Sequence, residues 1–96
     1  MANEYGFGDG ATTPGLGKLS EECGEVVQVI GKIISNGTRH SEDGLKRKLE
    51  EEIADVLAAI AFVVDYNNLD SQFIDDRAAN KVLKFMRWHN VETDDN

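Results

Sequence analysis

The sequence predicts an all-α fold, an antiparallel bundle with three main helices per chain. Three observations carry that expectation. Apolar residues recur at helical spacing in three stretches of about 20 residues each. No stretch alternates apolar and polar residues as a half-buried strand would. An acidic-then-apolar helical pattern is also written twice, as "KLSEECGEVVQVIGKII" from Lys18 to Ile34 and "KLEEEIADVLAAIAFVV" from Lys48 to Val64. The copies align at Lys18/Lys48, Leu19/Leu49, Glu21/Glu51, Glu22/Glu52, Val26/Val56 and Ile30/Ile60, and Glu25 meets another carboxylate, Asp55.

Residues 1–15 hold four of the nine glycines and the only proline, and read as an irregular arm. A first helix is expected over 16–35, closed by Asn36-Gly37, where glycine adopts the left-handed backbone that ends helices. The polar loop "TRHSEDG" follows, and Ser41 or Asp43 is placed to cap a second helix over about 45–66. Asn67-Asn68 ends it. Asp70 is a good N-cap for a third helix over about 71–89, with Leu69 and Ile74 spaced as a hydrophobic staple. The acidic tail, 90–96, is expected to fray. The helical domain is therefore 16–89.

Size and charge narrow the function. Ninety-six residues make one domain with a small core, which suggests that a four-helix core is completed by dimerisation. The formal charge of -8 disfavours nucleic acid and anionic membranes as partners. No apolar run approaches the ~20 residues of a membrane span. Cys23 is the single cysteine, so no intramolecular disulfide can form. The N-terminal stretch has neither the basic nor the apolar region of a secretion signal. The expectation is a cytoplasmic protein.

Helical geometry gives the repeat its meaning. At 100° per residue, with Glu22 at zero, Val26, Ile33, Leu19, Ile30, Cys23 and Ile34 fall on an apolar arc from about 20° to 120°. Glu25 lies about 60° to the other side. The second helix repeats this with Val56, Val63, Leu49, Ile60, Ile53 and Val64, and Asp55 takes the place of Glu25. Each helix thus carries an acidic pair beside its core-facing stripe. A short loop makes the helices antiparallel neighbours, so packing through the stripes brings four carboxylates together. Most glutamates on helices are merely solvated; two pairs in phase, each bordering an apolar stripe, argue for a site. Four adjacent carboxylates cannot all ionise without a cation. All-oxygen ligands select hard cations, chiefly Mg²⁺, with Mn²⁺ also suitable. Gly17, Gly24 and Gly31 recur every seven residues on another face, and Ala54, Ala58 and Ala61 form a small-residue face. Each interior glycine costs about 1 kcal/mol relative to alanine, which suggests a close approach within the bundle or between subunits.

"EECGE" and, after 26 intervening residues, "EIAD" resemble the ExxE…ExxD signature of the MazG-like nucleoside triphosphate pyrophosphohydrolases. The flanks "KLSEECGEV" and "LEEEIADVL" are similar to that family's two metal-binding helices, and the resemblance covers about residues 16–89. It implies that Glu22, Glu25, Glu52 and Asp55 are Mg²⁺ ligands. It implies cleavage of a nucleoside triphosphate between the α and β phosphates, giving the monophosphate and pyrophosphate, by a dimer or tetramer. Many members have a tryptophan-containing N-terminal segment near the base; here only Tyr5 and Phe7 stand there, which leaves base preference open.

The third helix offers what a triphosphate needs. Arg77, Lys81, Lys84 and Arg87 share one side with Asn80 at its edge, and Ile74, Ala78, Val82 and Phe85 take the opposite side. This stripe is the candidate phosphate-binding surface, although a solvated cationic face would look the same. Glu22 is the candidate for activating the attacking water, with Glu21 next. Lys18 and Lys48 read as salt-bridge partners, Cys23 as core, and Trp88 as packing at a helix or subunit junction. His40 and His89 have no second ligand nearby in sequence. A di-iron bundle would need Glu-x-x-His on two helices, and an EF-hand its Asp-rich loop; neither occurs. The rival from another class is a non-catalytic helical dimerisation or nucleotide-binding module.

Overall fold

The computed structural model of the protein describes residues 13–36 and 43–89. They form three helices and no strand: α1 from Leu16 to Asn36, α2 from Asp43 to Tyr66 and α3 from Ser71 to Trp88. The all-α expectation holds, and α2 starts two residues before the expected boundary. Tyr5, Phe7, Gly37, His40, Ser41 and the tail from 90 onward lie outside the described residues.

α1 and α2 form an antiparallel hairpin. At one end Gly15, just before α1, lies against Phe62 and Val63 near the end of α2. Gly15 has a φ of +86°, and a Cβ there would stand 2.7 Å from the Phe62 ring, so the close approach requires glycine. The Asn67 side-chain amide donates to the Pro14 carbonyl at 3.0 Å and to the Val63 carbonyl at 2.9 Å, tying the start of α1 to the end of α2.

Asn68 then turns the chain with a φ of +56°. The Leu69 N–H donates to the Val64 carbonyl at 3.0 Å and the Asn68 N–H to the Asp65 carbonyl at 3.3 Å. This is the Schellman arrangement that closes helices with one left-handed residue. Asp70 caps α3 as its sequence suggested: its carboxylate accepts from the Phe73 N–H at 3.0 Å. Leu69 and Ile74 line one groove at this corner, which fits their staple spacing.

The core is small. Val29, Ala59 and Val63 are its buried apolar residues. Leu19, Val26 and Ile33 of α1 and Leu49 and Val56 of α2 are half-buried around them. The apolar arc read from sequence is therefore only partly enclosed. Ile30, Cys23, Ile34 and Val27 on α1, and Ile60, Ile53 and Leu57 on α2, are exposed. These exposed sets have the same phase on their helices. In an antiparallel pair with matched facing sides, they fall on one side of the two-helix layer. Cys23, expected in the core, lies on this open side.

α3 packs very little against the hairpin; Ile74 is its one half-buried residue. The chain measures 52 × 34 × 16 Å with a radius of gyration of 17.2 Å, against about 12.5 Å for a compact domain of this length. Its accessible surface is 7600 Å², against about 5500 Å² for a folded monomer of its mass. Open space also faces Gly17, Gly24 and Gly31, so no close approach occurs at those glycines within the chain.

Candidate functional site

The hairpin register brings the two acidic pairs to the middle of the α1/α2 interface. Glu22 and Glu52 occupy matching places on the facing sides, where neighbouring turns carry Val26, Val29, Val56 and Ala59. That position takes both out of water: Glu52 is 5% exposed and the Glu22 side chain 16%. Ligand oxygens of Glu22, Glu52 and Asp55 all lie within 4.8 Å of one another. Three of the four carboxylates expected as ligands thus converge. The fourth, Glu25, sits on the other side of Glu52. A shared hydrogen bond with Glu52, then repulsion from Glu22 and Glu52, holds its carboxyl above the ordinary 4.5.

Two lysines partly balance this charge. Lys48 reaches Glu52 at 3.1 Å, and Lys18 reaches Glu21 at 3.1 Å and Glu22 at 3.9 Å. Their carboxylate partners raise both lysines above 10.5, led by the hydrogen bonds to Glu21 for Lys18 and Glu52 for Lys48. These are the salt-bridge roles their spacing suggested. One oxygen of each central glutamate is still unmatched: Glu22 Oε1 and Glu52 Oε1 are buried without a hydrogen-bond partner. A buried carboxylate oxygen without a partner carries a desolvation penalty. A cation held by Glu22, Glu52 and Asp55 would remove it. The donor set is all oxygen, so the residues fit a hard divalent ion.

The MazG nucleotide pyrophosphohydrolase domain matches residues 15–90. The chain belongs to the MazG family. That match begins at Gly15, the residue wedged against Phe62, and runs one residue past His89, so it spans the hairpin and α3. No curated protein matches the chain significantly, and no solved structure does. Family membership brings with it a nucleotide substrate and pyrophosphohydrolase chemistry in outline, and the acidic cluster is where a metal ion could sit.

The other candidate residues lie elsewhere. Arg77, Asn80, Lys81, Lys84 and Arg87 share one surface of α3, together with Phe73 and Asp76. Among the described residues none of the four cations there pairs with a carboxylate, and the groove that this stripe lines contains none of the four acids of the cluster. Within one chain the stripe does not meet the acids. Glu21, the second candidate for water activation, is exposed and paired with Lys18. His89 caps the end of α3, and Trp88 is 73% exposed beside Phe85.

Sequence reasoning missed the surroundings of the cluster. Phe62 stacks on Tyr66 with ring centroids 4.3 Å apart, next to Asp55, Ala58 and Ala59 in one groove. Lys32 and Gln28 line a second groove with Glu25 and Glu52. The signal was available in the repeat, at the positions where its two copies differ.

Proposed function

We propose that the protein is a Mg²⁺-dependent hydrolase that cleaves ribo- or deoxyribonucleoside triphosphates between the α and β phosphates, releasing the monophosphate and pyrophosphate. The observation that carries this reading is the convergence of Glu22, Glu52 and Asp55, with a buried, unpartnered oxygen on each glutamate. Glu25, beside Glu52, completes the ligand set. Bound there, the ion supplies Lewis-acid polarisation of the α-phosphate and neutralises the charge of the leaving group.

The chain's own residues do the rest. The Glu22 oxygen that the ion does not engage, which Lys18 approaches only at 3.9 Å, takes the proton from the attacking water. Lys48 fixes Glu52 by holding one of its oxygens at 3.1 Å, and Lys18, bonded to Glu21, adds its charge 3.9 Å from Glu22. The apolar turns on either side limit access of bulk water to the centre. Arg77, Asn80, Lys81, Lys84 and Arg87 hold the β and γ phosphates by charge-assisted hydrogen bonds. Because the stripe and the acids are on separate surfaces of one chain, the stripe acts from a second copy. The exposed side of the hairpin, with Val27, Ile30, Ile34, Ile53 and Leu57, is the surface that homodimerisation covers.

The test is a panel of ribo- and deoxyribonucleoside triphosphates with Mg²⁺, with pyrophosphate and orthophosphate detected separately. Pyrophosphate with the monophosphate is expected. Orthophosphate with the diphosphate, or no turnover of any nucleotide, overturns the reading.

A further inference from the structure

The two grooves that flank the carboxylates are copies of one another. Every described residue of one has its counterpart 30 positions along the chain in the other. Lys18 corresponds to Lys48, Glu22 to Glu52, and Asp55 to Glu25. An antiparallel pair of repeated helices has an approximate two-fold axis normal to the layer, and that axis passes through the acidic cluster. The symmetry puts both grooves on one face of the hairpin, on opposite sides of the same carboxylates.

The copies keep the acids and the lysine and change the outer wall. Beyond Asp55 the wall is Gly15, Ala58 and Phe62, in a groove of about 650 Å³. Beyond Glu25 the counterparts are Leu45, Gln28 and Lys32, in a groove of about 290 Å³. One end is thus wide, small-walled and aromatic, with Phe62 extended into a platform by Tyr66. The other is narrow and polar, with an amide and an ammonium that has no acidic partner among the described residues. Phe62 and Lys32 each stand seven residues, about 10 Å of helix rise, beyond the carboxylate on their own helix, in opposite directions.

We infer that this divergence sets the direction of the substrate: the nucleoside lies over the Gly15/Ala58/Phe62 groove, and the β and γ phosphates lie over the Gln28/Lys32 groove. This rests on the function proposed above and adds to it the polarity of the site and two residues that read the ligand. A base gains stacking on an aromatic face, and a ring the size of a nucleoside fits the wider groove. A polyphosphate gains nothing there, but gains hydrogen bonds from Gln28 and charge from Lys32. The α phosphorus, between the two ends, then stands over Glu22, Glu52 and Asp55, where cleavage occurs. A symmetric site would accept either direction equally, and the unlike walls beyond Asp55 and Glu25 remove that equivalence.

Calorimetric titration of the full chain with two partial ligands tests the inference. One is an uncharged nucleoside and the other is inorganic tripolyphosphate with Mg²⁺. Phe62→Ala is expected to weaken nucleoside binding about tenfold and leave tripolyphosphate unchanged. Lys32→Ala is expected to weaken tripolyphosphate about tenfold and leave the nucleoside unchanged. Circular dichroism of both variants establishes that each is folded, and Phe62→Leu, which keeps bulk without the aromatic face, serves as the second variant at that position. The opposite pattern, or wild-type binding of both ligands in all variants, overturns the inference while the proposed hydrolase survives. A wild-type protein that neither binds nor turns over any nucleotide overturns both.

Discussion

The hairpin and α3 are built on opposite economies. The hairpin draws its structure from tertiary contact: its buried residues lie where α1 meets α2, and its site exists only because two helices meet in phase. α3 is finished locally. It has its own cap at Asp70, a Gln72–Asp76 side-chain bond at 3.0 Å, and an aromatic pair in its last turn, yet it buries almost nothing. The contrast shows that a helix can be well specified by its sequence and still pack only slightly within its own chain. The role proposed for α3 in the site is accordingly one played from another copy.

The sharpest way to break this comparison is to remove a carboxylate from the hairpin. Asp55→Asn or Glu52→Gln is expected to lower turnover by about three orders of magnitude, or about 4 kcal/mol of transition-state stabilisation, with helicity unchanged. Asp55→Asn should also raise the melting temperature measured without metal, because one source of repulsion is gone. Steady-state kinetics and thermal melts check both. Wild-type activity in Asp55→Asn would remove the cluster from the mechanism.

The α3 stripe is expected to give the next largest effect. Lys81→Ala or Lys84→Ala removes a charge-assisted contact of roughly 1.5–3 kcal/mol, ten- to a hundredfold in kcat/KM, by a similar factor for substrates with different bases. Mixing inactive Glu52→Gln chains with weakened Lys81→Ala chains should recover activity, since one composite site would hold intact acids and an intact stripe. Absence of recovery in a mixture shown to exchange subunits would place the stripe in the same chain as the acids, or outside the site.

Stability separates the regions further. Gly15→Ala forces a Cβ to within 2.7 Å of the Phe62 ring at a left-handed backbone position, and is expected to cost about 1–3 kcal/mol. Asp70→Ala removes only the α3 cap, at about 1 kcal/mol of local helix stability. Hydrogen exchange should show α3 amides loosened by the second change and hairpin amides by the first.

How much was legible in the sequence follows the same division. The α3 cap, the Asn67-Asn68 stop and the acidic pairs were readable because each depends on residues within one or two turns. Helical phase put Glu22 and Glu52 at the edge of the apolar arc, whereas the structure sets them between the helices, with Glu52 5% exposed. It overstated the enclosed arc, since phase identifies apolar faces but not how many helices cover them; Cys23 and Ile34 are open for that reason. The unequal grooves were overlooked because matches in a repeat are conspicuous and differences are not: Phe62 opposite Lys32 only acquires meaning once a two-fold axis relates them. Gly15 was hidden in a glycine-rich arm, where nothing local marks the one glycine that meets a distant ring.

The smallest expected effect concerns Glu25, and its sign is diagnostic. Its carboxyl is held above 4.5 in the folded chain by the Glu52 hydrogen bond and by neighbouring negative charge. The folded state therefore binds this proton more tightly than the unfolded state. The stability this contributes is complete below 4.5 and is lost as pH rises through the raised folded value. Other carboxylates titrate over the same range, so the quantity to follow is the difference in melting temperature between wild type and Glu25→Gln without metal. The two should lie closest at low pH, and the variant should become relatively more stable as the pH approaches 7. Mg²⁺ should reverse the trend for wild type, because ligation requires the deprotonated carboxylate and strengthens with pH, and should do so less for the variant. A difference that stays constant with pH, and is indifferent to Mg²⁺, would separate Glu25 from the cluster and leave the site with three ligands, not four.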